Sequence, residues 1–195
     1  DKGQAAFFGG VELGKAVTLD ELRALYDAVI LATGAGEDRR LGVPGEELPG
    51  VVGSGRFVGW LNGHPDLLAR PIPARPVRHA VVIGGGIVAL DVARVLAKTP
   101  AELAASDLDP ELAAELAAWP LESVTFLIRR GPDEVRFSLL ELEELGRLAR
   151  AQPEVEATDL PSPLPDDPAP LAALRRWVDL PGKGVALRFR FHAAP

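Results

Sequence analysis

Two clusters of residues in this 195-residue chain have the types and spacing to do chemistry, and both point to phosphate. The first is a glycine run, Gly84-x-Gly86-x-x-Ala89, set between four apolar residues (Ala80, Val81, Val82, Ile83) and a helical repeat of Val88, Val92, Val95 and Leu96. Gly84 suits a turn that a side chain would obstruct, Gly86 lets a pyrophosphate approach the backbone, and Ala89 keeps helix and strand close. Phosphate oxygens would then meet free N–H groups at a helix N-terminus, where the aligned peptide dipoles also favour negative charge. The expected binding positions are Gly84, Gly85, Gly86, Ile87 and Val88. The bland alternative is that the glycines only pack a tight strand-to-helix turn.

The second cluster is Arg129-Arg130, which follows a second apolar run, Glu122 to Ile128. In a Rossmann unit the residue just past the second strand reads the adenosine ribose. A carboxylate there binds the 2′-hydroxyl of NAD, and arginine pairs with the 2′-phosphate of NADP. Two arginines and no acid stand at that point, and planar guanidinium forks donate to a phosphate in pairs. The competing reading is a solvated charge run beside Asp133 and Glu134.

These clusters need elements to hold them. Thr18 and Glu21 have capping-box spacing and predict a short helix through Tyr26, followed by a buried strand, Ala28 to Ala32. From Glu37 to Val77 the glycines and prolines mark a connecting segment, with helical turns over Arg56 to Leu61 after a Ser54 cap and a stiff approach through Pro71, Pro73 and Pro76. Asp109-Pro110 starts a helix inserted within Pro100 to Trp119, and Ser138 caps a long helix to Ala151. The proline- and acid-rich stretch 153–170 reads as a loosely packed surface excursion, and Leu171 to Val178 as a short helix. Val185 to Phe191 alternates core and wet positions, as on an outer or antiparallel strand. The expected fold is α/β, a doubly wound, Rossmann-like, mostly parallel sheet with helices on both faces.

Composition removes other chemistries. A formal charge of −7 argues against nucleic acid or an anionic membrane as a partner, so any phosphate site must be built from local groups. The absence of Cys excludes disulfides and thiolate-ligated metals, and the three dispersed His lack ligand spacing, so no metal site is expected. No apolar run approaches membrane-spanning length, and a cytoplasmic location is expected. The missing initiator Met suggests a processed product or an excised segment.

Several blocks together resemble adrenodoxin-reductase-like ferredoxin–NADP reductases: Tyr26 to Ala35, Pro44 to Val51, Phe57 to Gly63, Val88 to Arg94 and Arg129 to Pro132. The resemblance implies that residues 1–36 end the first half of an FAD domain and that 37–195 are most of an inserted NADP(H) domain. It implies an NADPH-dependent flavoprotein oxidoreductase in which NADPH passes hydride to FAD, which sends single electrons to a ferredoxin-type carrier. Arg129 and Arg130 would hold the 2′-phosphate, and Glu141 would lie near the same ribose. Where the family commonly has Asn after the second glycine, this chain has Ile87. The flavin domain's own glycine fingerprint is not in this sequence, so this piece alone should neither hold FAD nor be active. Two alternatives stand: a non-catalytic NADP(H)-binding or regulatory module, and a fragment of another two-dinucleotide flavoprotein such as a glutamate-synthase small-subunit type.

Overall fold

The computed structural model describes residues 5–67, 69–72, 75–135, 137–162, 169–180 and 182–195. Expectations resting on Pro73, Pro181 and residues 163–168 lie outside them. The chain separates into two compact units, Asp1–Glu37 and Asp38–Pro195.

Among the described residues the first unit carries one helix, α1 (Leu19–Leu25). Its start is the expected capping box: the Glu21 N–H donates to the Thr18 hydroxyl at 3.2 Å, and the Glu21 carboxylate accepts from the Thr18 N–H at 2.8 Å. No residue of α1 is buried. The expected strand at Ala28–Ala32 is not formed, and Ile30 is 88% exposed. An apolar run becomes a buried parallel strand only when neighbours take its backbone N–H and C=O groups, and among the described residues it has none.

Among the described residues the second unit is built on four strands, β1 (His79–Ile83), β2 (Ser123–Leu127), β3 (Ala151–Glu154) and β4 (Val185–Arg190). All pairings are parallel, in the order β1-β2-β4-β3. The chain is thus α/β, with an all-parallel sheet and helices. Side chains alternate across a strand, so the register decides which residues share a face. Val124, Phe126, Leu187, Phe189 and Pro153 share the core face and are fully buried. Phe189 stacks on Phe126 with ring centroids 4.6 Å apart and on Trp177 at 5.9 Å. The other face, with Val81, Thr125, Arg188 and Glu154 in one row, is more open and more polar.

Helix α2 (Ser54–Leu61) precedes β1, with Gly53 rather than Ser54 at its cap. Helix α3 (Ile87–Ala97) follows the glycine run, and the small Ala89, Ala93 and Ala97 are buried. The insertion before β2 is two helices rather than one, α4 (Pro100–Ala104) and α5 (Pro110–Ala117). Asp109 caps α5 as expected, accepting from the Glu111 N–H at 2.9 Å and the Leu112 N–H at 3.2 Å.

Three expectations are corrected beyond this point. Helix α6 (Leu139–Gly146) starts at Ser138 but stops short of Ala151, because Ala151–Glu154 is strand β3. Pro153 therefore begins no surface excursion: it is buried opposite Leu187, Val155 bridges Val178, and Leu160 is buried. Two of the acids that suggested a solvated segment are counter-ions. Glu154 accepts from Arg188 at 3.1 Å and Glu156 pairs with Arg190. The same pairs explain why β4 is an inner parallel strand although its sequence alternates like an outer one. After α7 (Ala169–Arg175), β4 enters the sheet between β2 and β3, with its wet positions neutralised.

Candidate functional site

The C-terminal ends of β1 and β2 open onto a cleft of about 860 Å³. Gly84, Gly85 and Gly86 form one wall, and Ile128, Arg129 and Arg130 another. The three glycines meet different demands. Gly84 has φ +135°, a conformation that L side chains rarely adopt, and its N–H donates to the Leu127 carbonyl at 2.9 Å, closing the turn onto β2. A Cβ on Gly85 would lie 2.7 Å from Cγ2 of Ile128. A Cβ on Gly86 would meet nothing within 4 Å, so its missing side chain leaves open space. Gly86 caps α3 without a side-chain hydrogen bond, and Ile87 and Val88 in the first turn are 48% and 50% exposed. The turn thus offers backbone donors and the positive end of an 11-residue helix, with no side-chain donor at positions 87 and 88.

Arg129 and Arg130 are exposed on a backbone held at three points. Ile128 N–H donates to the Arg190 carbonyl at 2.9 Å, Ala193 N–H to the Ile128 carbonyl at 3.0 Å, and His192 N–H to the Arg130 carbonyl at 3.3 Å. Among the described residues neither arginine makes an ion pair, although Glu134 also lines the cleft. Glu134 is turned to the backbone, accepting from the Gly131 N–H at 3.3 Å.

A second pair, Arg39 and Arg40, lines the same cleft and was missed by the sequence reading. Two carboxylate clamps fix their segment. Asp38 accepts from the N–H groups of Gly55 at 2.7 Å and Arg56 at 3.0 Å, doing for α2 what the side-chain-free Gly53 cannot. Glu46 accepts from Leu41 N–H at 2.7 Å and Gly42 N–H at 2.8 Å. These two N–H groups hold the Glu46 carboxyl below the usual range against slight desolvation, and the charge of Arg40 adds to the effect. The available signal was Asp38-Arg39-Arg40 followed by Pro44-Gly45-Glu46, cations bracketed by acids within a turn-rich segment.

Ile87, Val88 and Glu141 are not among the described residues lining the cleft. Glu141 is occupied at the start of α6. It accepts from the Ser138 hydroxyl and, at 2.5 Å, from the Ser138 N–H, which together with the charge of Arg94 lower its pKa. The three histidines lie elsewhere: His64 Nδ1 accepts from Asp66 N–H at 3.3 Å, His79 Nδ1 faces the Ser123 hydroxyl at 3.0 Å, and the ring of His192 lies beside Gly131. Among the described residues no three metal-ligating side chains cluster. The cleft therefore combines four guanidiniums, backbone N–H donors and an unfilled glycine cradle, which fits an extended polyanion such as a dinucleotide. No described side chain lining it is a Ser, Thr, Cys, Lys or His, and its one carboxylate side chain, Glu134, accepts from the Gly131 N–H.

The profile of the pyridine nucleotide-disulphide oxidoreductase family matches residues 6–126. The chain is 42% identical over 157 residues to human mitochondrial NADPH:adrenodoxin oxidoreductase, covering 80% of this chain and 32% of that protein. It is 41% identical over 163 residues to NADPH-ferredoxin reductase FprA of Mycobacterium tuberculosis, covering 84% of this chain and 36% of that protein. It also superposes on the structure of that FprA in complex with NADPH with a TM-score of 0.80 and 36% identity, over 92% of this chain and 42% of that one. The chain thus spans about a third of the length of these curated relatives. By the profile match and these similarities, the chain belongs to the pyridine nucleotide-disulphide oxidoreductase family, as a relative of the NADPH-dependent adrenodoxin and ferredoxin reductases.

Proposed function

We propose that the cleft binds NADP(H), and that in a longer flavoprotein this chain presents the reduced nicotinamide to FAD, with electrons passing on to a ferredoxin-type carrier. The observation that carries this reading is the Arg129-Arg130 pair at the end of β2, facing the cleft walled by the glycine turn, with no carboxylate in the ribose-reading position. The FprA relative solved with NADPH supports it. Residues 1–36 belong in this reading to the first half of a flavin domain, 37–195 are the inserted nucleotide domain, and the setting is cytoplasmic.

The nicotinamide supplies the hydride when bound. This chain contributes position: the α3 N-terminus and glycine N–H groups hold the pyrophosphate, and the arginines fix the adenosine end. No side chain of the cleft needs to take or give a proton, so binding geometry is the whole of the chain's share.

Calorimetric titration of the chain with NADPH and NADH tests the reading. Each charge-assisted hydrogen bond is worth roughly 1.5–3 kcal/mol, so Arg129→Ala with Arg130→Ala lowers NADPH affinity by about ten- to a thousandfold and leaves NADH nearly unchanged. Equal binding of both cofactors by parent and double variant would refute the assignment.

A further inference from the structure

The two walls of the cleft are carried by different helices. Gly86 of the glycine turn caps α3, and the loop after β2, whose Glu134 and Val135 line the cleft, ends at Ser138, the cap of α6. At its start that loop is tied to the end of β4, since the backbones of Ile128 and Arg130 are bonded to Arg190, His192 and Ala193. Its far end is carried by α6. The width of the cleft at Val135 therefore depends on how α6 sits on α3.

These two helices pack against each other, but three of the five buried residues of α3 are alanines, Ala89, Ala93 and Ala97. Side chains this short raise little ridge for a neighbour to interlock with, so apolar packing resists sliding only weakly. A polar clasp joins the helices as well. The Arg94 guanidinium donates through one nitrogen to Asp91 on its own helix at 2.7 Å and pairs through another with Glu144 on α6. A planar fork with one prong anchored on α3 aims the other prong in a fixed direction, which a lysine could not do. The side chains of Arg94 and Glu144 are 32% and 39% exposed, so the pair adds little to stability and acts through geometry. The same charge reaches the first turn of α6, where it adds to the Ser138 hydroxyl and N–H in lowering the pKa of Glu141. Resting on the reading of the cleft as a dinucleotide site, we propose that Arg94 is a positioning residue: its clasp from Asp91 to Glu144 fixes α6 on α3 and so sets the gap that a bound dinucleotide must span.

The test compares the chain with Arg94→Met, which keeps the apolar stem and removes the fork, with Glu144→Ala, and with the double variant. Each is titrated with NADPH, NADH and adenosine 2′-monophosphate; the dinucleotides touch both walls, whereas the monophosphate needs only the arginine wall. Either single variant is expected to bind NADPH and NADH about three- to tenfold more weakly, with adenosine 2′-monophosphate unchanged. The double variant should lose no more than the singles, because both remove one contact. Without ligand, amide exchange at Glu134, Val135 and Phe137 should be faster in the variants and that of β2 unchanged, whereas a purely structural pair would lower the urea midpoint and speed exchange in β2 as well. Unchanged affinity for both dinucleotides overturns the proposal, as does unchanged exchange in the loop or an equal loss for adenosine 2′-monophosphate. If Arg129→Ala with Arg130→Ala proves neutral, the 2′-phosphate assignment fails, while NADH binding and loop exchange still decide the clasp.

Discussion

Three apolar runs of this chain differ chiefly in how many neighbours they have. Among the described residues Ala28–Ala32 has no neighbouring strand, and Ile30 is 88% exposed. β1 has one neighbour, β2, and Val81 on its open face is 59% exposed. β2 has two, and its Phe126 is 0% exposed. The three are comparably apolar, so their burial is a property of the pairing and not of the residues alone.

The comparison can be broken most forcefully at Phe189. It stacks between Phe126 and Trp177 at zero exposure, so Phe189→Ala should cost about 3–5 kcal/mol in urea denaturation of the chain, whereas Ile30→Ala should change stability by no more than about 0.5 kcal/mol. Equal costs would mean that the run in the first unit is packed after all. A finer test takes adjacent glycines at the exit of β1. The Cβ of Gly85→Ala meets Ile128, and the expected cost is about 1–3 kcal/mol; Gly86→Ala projects into open space and should leave stability alone while weakening NADPH and NADH binding. If Gly86→Ala binds both as the parent does, the cradle is not the pyrophosphate seat.

The smallest effect separates the helices by pH. Burial alone would push Glu102 up, but the Thr99 N–H and hydroxyl, joined by the Ala149 N–H and Lys98, bring it below the ordinary 4.5; Glu21 is lowered by the Thr18 N–H and hydroxyl. For a lowered carboxyl the unfolded chain binds the proton more readily, so the stabilisation is complete above about pH 4.5 and disappears as pH falls through the lowered folded value. Glu102→Gln should flatten the acid fall of the urea midpoint slightly. Glu21→Gln should not affect that midpoint, because α1 buries no residue.

Local rules made much of this legible. The capping of α1 at Thr18, of α5 at Asp109 and of α6 at Ser138 depends on residues two or three positions apart, and the glycine turn on a single strand-to-helix junction. β3 was hidden because its partners are remote: Arg188 lies 34 residues from Glu154. The strand reads as proline and acid until β4 is placed beside it. Arg39 and Arg40 were hidden for the same reason, since their relation to Gly84 and Arg129 is created by the fold. Residues 28–32 show the opposite error, a strong local pattern whose pairing the rest of the chain does not supply.

Pro153 makes the sheet directional. It sits in the edge strand β3, opposite Leu187, and a proline has no N–H to offer an arriving chain. That rim is capped against templated extension, while the opposite rim, β1, contains no proline and keeps a full set of donors. The two rims therefore differ in what they offer an arriving chain: β3 lacks a donor at Pro153, whereas β1 has an N–H at every residue.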